Sequence, residues 1–181
     1  MKFFDKMKLK SKLKEADILY CEGSINMESE DESEVSIANI QLEESLSICE
    51  EILLNDQLNI EAKIIKSNIF IEQNKYTEAK DLINFVLSRE PKNIDALCSI
   101  AQIHIFNDEF DKATEYLKQG MQIDNSSFEV VEKLISMNLY LGNHDEAIKY
   151  IDMIISGPAR KNASKLYINL IKEKKLELLS K

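Results

Sequence analysis

A segment of this chain recurs at a fixed interval of about 34 residues. The stretch FDKATEYLKQGMQIDN at 110–125 aligns without a gap with YTEAKDLINFVLSREP at 76–91 and HDEAIKYIDMIISGPA at 144–159. Such a period, with apolar residues at helical spacing, predicts stacked copies of one supersecondary unit. The apolar columns hold Ala79, Ala113 and Ala147, then Ile83, Leu117 and Ile151, then Val86, Gly120 and Ile154.

The segments upstream repeat in the same register. Ala62, Ala96 and Val130 align there, and the short polar stretches QNK, NDE and LGN precede each second segment. Each unit therefore reads as a helix, a tight turn and a second helix. Asn93 and Ser126 are well placed as helix N-caps.

This pattern resembles the tetratricopeptide repeat family. Ser67 and Ala101 match its small residue in the first helix, Tyr76 and Phe110 match its aromatic residue, and Pro91 matches its closing proline. Ile135 departs from the small-residue column and His144 from the aromatic one. The resemblance implies an all-α, right-handed α-solenoid of tetratricopeptide-type helix-turn-helix repeats. The three clear repeats would span 60–93, 94–127 and 128–159.

Both ends of the chain extend beyond the clear repeats. We predict that 1–59 forms an N-terminal arm and a degenerate first repeat, whose first helix is 8–20. An acidic loop at about 21–36 would be inserted there, because that tract is too acidic to bury. An alternative is that the segment 1–20 forms a separate arm. We predict that 160–181 is a C-terminal capping helix, with self-association through it as the alternative.

The composition argues for a protein without catalytic or nucleic-acid-binding chemistry. The net charge of −9 repels a phosphate backbone. No glycine-rich phosphate loop, nucleophile elbow or HExxH motif occurs, and His104 fits a packing role. The three cysteines form no CxxC pair. We therefore expect no enzyme activity, no metal and no cofactor, and, since no leader or long apolar span is recognised, a cytoplasmic protein.

Charge is distributed unevenly along the first third of the chain. Residues 1–15 hold six Lys against Asp5 and Glu15, a net of +4, whereas residues 16–51 hold eleven acids and no Lys or Arg. The two blocks can pair with each other. The alternative is that residues 1–14 touch an anionic membrane.

The resemblance also implies a place for a partner, because first helices line a concave groove in this family. An apolar run there is a candidate binding site, unless the chain's own termini cover it. The predicted groove residues are Ile64, Ile65, Asn68, Ile71, Cys98, Ser99, Gln102, Ile105, Phe106, Lys133, Ser136, Leu139 and Tyr140.

These observations favour a non-catalytic interaction module, such as a scaffold, adaptor or chaperone-like protein. It would bind a peptide or helix of a partner protein, as a monomer or homodimer. The alternatives are a peripheral membrane or complex-assembly factor that uses the basic N-terminus, or homo-oligomerisation through the C-terminal helix.

Overall fold

A computed structural model describes residues 3–26 and 31–180 of the chain. Within these ranges the chain forms helices and no strand, which confirms the predicted all-α class. The helices belong to two compact units, Met1–Pro91 and Lys92–Lys181. Unit 1 contains α1 (Phe3–Asn26), α2 (Glu32–Asn55), α3 (Ile60–Glu72) and α4 (Tyr76–Arg89). Unit 2 contains α5 (Ile94–Phe106), α6 (Phe110–Ile123), α7 (Phe128–Tyr140), α8 (His144–Ile155), a 3-10 helix (Pro158–Asn162) and α9 (Lys165–Leu179).

In unit 1, α1 and α2 form a closely packed helical hairpin. Leu13 and Ala16 of α1 share a buried cluster with Leu42 of α2. The hydroxyl of Ser45 donates a hydrogen bond of 2.7 Å to the carbonyl of Ala16, and a Cβ at Gly23 would lie 2.9 Å from Leu42 Cγ. Only a residue without a side chain fits so close an approach, so α1 packs as the first helix of a hairpin and not as a separate arm.

The acidic segment between these helices is more helical than the sequence suggested. We predicted a loop at about 21–36, but α1 continues to Asn26 and α2 begins at Glu32. Residues 27–30 lie outside the described residues. Asp31 caps α2 by accepting from the Ser33 amide at 2.8 Å, and Glu32 and Glu34 occupy the first turn. Carboxylates stabilise a helix N-terminus, so acidic residues that disfavour burial still favour helix here.

The turn after each first helix has the same geometry in three hairpins. Asn74, Asp108 and Gly142 occupy equivalent positions of successive repeats and have φ values of 58°, 57° and 71°. Asn, Asp and Gly are the residues that adopt this left-handed conformation most readily. The amide of the following residue then bonds the carbonyl five residues earlier, as in Glu109 N to His104 O at 2.8 Å. This Schellman geometry ends α3, α5 and α7 in one register.

The N-caps of the same three helices also recur at equivalent positions. Asn59, Asn93 and Ser127 each accept from the amide three residues later, at 2.9, 3.0 and 3.5 Å. The cap at Asn93 is as predicted, but the cap at Ser126 is wrong by one residue. Ser126 is held by Asp124, whose carboxylate accepts from its amide at 2.8 Å and its hydroxyl at 2.6 Å.

The core of unit 2 lies between the helices of its hairpins and continues to the last helix. Ala113 and Leu117 of α6 pack with Val130 and Leu134 of α7, and a Cβ at Gly120 would lie 2.9 Å from Val130 Cγ2. A second cluster joins α7 and α8 to α9. Its buried members are Val131, Ile135, Ile151, Ile154, Ala159, Ile168, Ile171 and Leu178.

Candidate interaction surface

The predicted groove residues of unit 1 are mostly interior. Ile64, Ile65 and Ile71 of α3 are buried, and Asn68 is half-buried. Glu72, at the end of the same helix, accepts a hydrogen bond of 2.8 Å from the Ser24 hydroxyl of α1. The three isoleucines therefore serve packing and leave little apolar surface for a partner.

Two of the predicted groove residues in α5 are interior as well. Cys98 and Ser99 are buried, and the Ser99 hydroxyl donates to the carbonyl of Asp95 at 2.8 Å. Burial raises the pKa of the Cys98 thiol, which hydrogen-bonds to Glu129 of α7. Burial thus disfavours the thiolate, which is the reactive form, and Cys98 packs in a buried cluster with Val130 and Leu134 of α7.

A polar contact spans the middle of the α5 and α7 surface. Lys133 of α7 donates through Nζ to Oε1 of Gln102 in α5 at 3.1 Å, and both side chains are half-buried. Ser136, the next α7 residue on this surface, is exposed. These groups offer hydrogen bonds to a ligand that lies across the two helices.

An apolar end adjoins this polar middle. Phe106, the last residue of α5, is 51% exposed, and Tyr140, the last residue of α7, is 75% exposed. Ile105 and Leu139 beside them are half-buried. The Tyr140 ring lies 5.7 Å from that of Phe110, at the start of α6. We call Gln102, Ile105, Phe106, Lys133, Ser136, Leu139 and Tyr140 the α5–α7 face.

Two exposed residues of α9, Leu166 and Leu170, were not among the predicted groove residues, although they align with groove positions of the earlier repeats. Leu166 follows Cys98 and Glu132 at the repeat interval, and Leu170 follows Gln102 and Ser136 in the same way. Leu166 is 81% exposed and Leu170 is 61% exposed. They were overlooked because α9 was interpreted as a cap outside the repeats. The signal was present in the column of Ile69, Ile103 and Met137, which Ile171 extends by one more repeat.

Side-chain contacts place α9 beside α7. The Tyr167 ring meets that of Phe128 edge-on, with centroids 5.1 Å apart. Burial raises the pKa of the Tyr167 hydroxyl, and Glu132 of α7, which accepts its hydrogen bond, raises it further. The contact between Lys133 and Gln102 joins α5 and α7 in a comparable way. Thus α9 follows α7 as a further first helix would.

The remaining candidates for chemistry have structural partners. His104 is buried, its Nδ1 lies 2.6 Å from Oε2 of Glu109, and its ring stacks on that of Tyr116 at 5.5 Å. This is the packing role expected of it. Among the residues described, no group of His, Cys, Asp or Glu side chains could hold a metal ion.

The basic N-terminal block pairs in part with the acidic one. Lys12 of α1 forms an ion pair with Glu51 of α2. The pKa of Glu51 is lowered chiefly by its hydrogen bond from Lys12, with Lys8 adding a smaller effect. Over residues 3–26 and 31–180, no helix is long and apolar enough to span a membrane.

Comparison with known families shows which repeats this chain is similar to. Residues 70–137, from the end of α3 to most of α7, match the tetratricopeptide repeat family. This part of the chain is therefore similar to tetratricopeptide repeats. Repeats of this kind are protein–protein interaction modules and are generally non-catalytic. The match therefore supports a protein-interaction module as the general role of this region.

Other comparisons add no further detail. A solved structure described as a mutant of MamA aligns over 82% of this chain and 96% of that chain, with 15% sequence identity and a TM-score of 0.47. Comparison with curated proteins found no match.

Proposed function

We propose that this protein binds a segment of a partner protein on the α5–α7 face. The observation that carries the proposal is the exposure of two large aromatic side chains, Phe106 and Tyr140, at the ends of two neighbouring helices. Exposed apolar groups of this size usually mark an interaction site, and aromatic residues dominate the energetics of such sites.

The rest of the face supports the same function. Ile105 and Leu139 supply a half-buried apolar floor, and the bonded pair of Lys133 and Gln102 supplies polar groups next to it. An apolar centre with a polar margin is the usual anatomy of a protein interface. The buried residues in the N-terminal half of α5 would support the surface and not contact the partner.

The test is quantitative affinity capture with Tyr140→Glu and Phe106→Glu variants of the full chain. Either substitution places a carboxylate within the apolar end and should reduce capture of the specific partner at least tenfold, as expected for a central anchor. Leu54→Glu is the matched control, because Leu54 in α2 is also strongly exposed and apolar. Helicity and melting temperature should stay near the wild-type values in all three. Equal capture by the wild type and the Tyr140 variant would place the binding site elsewhere.

A further inference from the structure

The outward surface of α9 has two sides of different character. Lys165, Asn169 and Lys172 lie at three- and four-residue spacing on one side, which is polar as the end of a repeat array requires. Leu166 and Leu170 lie one residue further round the helix and are exposed. A helix that served only as a cap would gain from polar residues there too. Leu170 instead continues the column of Gln102 and Ser136 in the α5–α7 face, and Leu166 lies one turn before it. We call the α5–α7 face together with these two leucines the α5–α7–α9 face.

The spacing of α5, α7 and α9 favours a helical over an extended conformation of the bound segment. Packed helices lie about 8–10 Å apart. A ligand α-helix that crosses them rises about 10.5 Å in seven residues, and residues i and i+7 share one side of it. An extended segment covers about 10 Å in three residues, but a three-residue step turns the side chain to the opposite side. A ligand helix can thus place one side chain every seven residues against α5, α7 and α9 in turn. In an extended segment, side chains three residues apart point to opposite sides, so successive ones cannot all contact the three helices.

The charges on the α5–α7–α9 face indicate which charge the ligand helix should carry along its sides. Glu129 and Glu173 are exposed and Glu132 is half-buried. Two lysines, Lys133 and Lys174, lie on the same side, and Lys165 and Lys172 lie on the other side of α9. Lys133 is engaged with Gln102 and Lys174 pairs with Glu177 at 2.9 Å. Acidic groups therefore outnumber basic ones along the rim, in a chain whose net charge is −9. Basic groups on the ligand would complement this rim and speed its association.

We propose that the α5–α7–α9 face receives an amphipathic α-helix of a partner protein, with large apolar residues at seven-residue spacing and lysine or arginine along its flank. This inference rests on the proposed function and specifies its ligand. Leu166 and Leu170 are then contact residues and not part of a cap. Three receiving helices require anchors at i, i+7 and i+14, so the ligand helix has a length of roughly 15 residues or more.

Selection from a displayed library of random 20-residue peptides tests the proposal, with the full chain as bait. Enriched peptides should carry apolar residues at seven-residue spacing and a net positive charge. Synthesised with a fluorescent label, they should gain helical circular dichroism on binding. Leu170→Glu should weaken their binding at least tenfold by fluorescence anisotropy, whereas Leu54→Glu should change it less than twofold.

The outcomes separate this inference from the proposed function. Peptides that need Tyr140 but tolerate Leu170→Glu would overturn the α9 extension and leave the α5–α7 face as the site. Enriched peptides with alternating apolar residues, or with net negative charge, would overturn the helical basic ligand. Peptides that need neither residue, or no enriched peptide, would count against both proposals. A dimer in sedimentation that Leu170→Glu abolishes would show that a second copy occupies the face, which also overturns the inference.

Discussion

Ile135 offers a direct conflict between the repeat pattern and the structure. It stands in the column where α3 has Ser67 and α5 has Ala101, so the family pattern suggests that Ile135→Ala would be harmless or even stabilising. In the structure Ile135 is 2% exposed and shares a buried cluster with Ile151 of α8 and Ile168 of α9. We therefore expect the substitution to destabilise unit 2.

The magnitude follows from the atoms removed. Ile135→Ala deletes three carbon atoms, each worth about 0.8 kcal/mol of transfer free energy, or about 2.4 kcal/mol together. The cavity that remains adds to this, so the cost is about 2–5 kcal/mol. Alanine's better helix propensity returns only about 0.4 kcal/mol. Ile135→Val removes a single carbon and should cost about 0.5–1.5 kcal/mol.

Urea unfolding, followed by circular dichroism, measures these free energies of unfolding. Leu176→Ala in α9 is the control, since Leu176 is 69% exposed and its loss should stay within about 0.5 kcal/mol. We expect stability to fall in the order wild type, Ile135→Val, Ile135→Ala. If Ile135→Ala were as stable as the wild type, the cluster would not depend on this side chain and the small-residue column would govern the packing.

Other measurements test the turns, an ion pair and the thiols. Asp108→Ala should lower the free energy of unfolding by about 1 kcal/mol because its φ of 57° strains alanine, whereas Asp108→Gly should cost much less. Hydrogen bonds from Lys112 and then His104 lower the pKa of Glu109 below its ordinary 4.5. The Glu109 carboxylate thus stabilises the fold above pH 4.5, and this stabilisation is lost as pH falls through the folded-state pKa. In Glu109→Gln, the free energy of unfolding should not show this loss when it is measured against falling pH. Ellman's reagent should modify exposed Cys21 in the native protein and all three thiols in denaturant; rapid native reaction of three would contradict the burial of two.

The repeated columns were predictable because they depend on interactions between near neighbours in sequence. Ala79, Ala113 and Ala147 follow the period, and all three are buried. The left-handed turn residues and the N-caps at Asn59 and Asn93 also recur with the repeat, since capping and turn geometry involve residues only a few positions apart.

Errors arose where composition was used in place of local geometry. The acidic tract suggested a loop, yet Glu32 and Glu34 favour the start of α2. The apolar spacing in α9, with lysines between, suggested that Leu166 and Leu170 cover the end of the core, but both are exposed and align with groove residues of earlier repeats. In both segments the position of each residue within its helix was more informative than the overall polarity.

The sequence by itself determined that the chain is all-α and divided into hairpins of one repeating length, because helical periodicity, caps and turns are local. Tertiary structure decided which members of a column are exposed. Cys98 and Leu166 share one column, but Cys98 is buried and Leu166 is 81% exposed. Exposure depends on neighbours that are distant in sequence and differ from one repeat to the next. A regular pattern of residues therefore specifies the hairpins, and only the packed structure shows where a partner can bind.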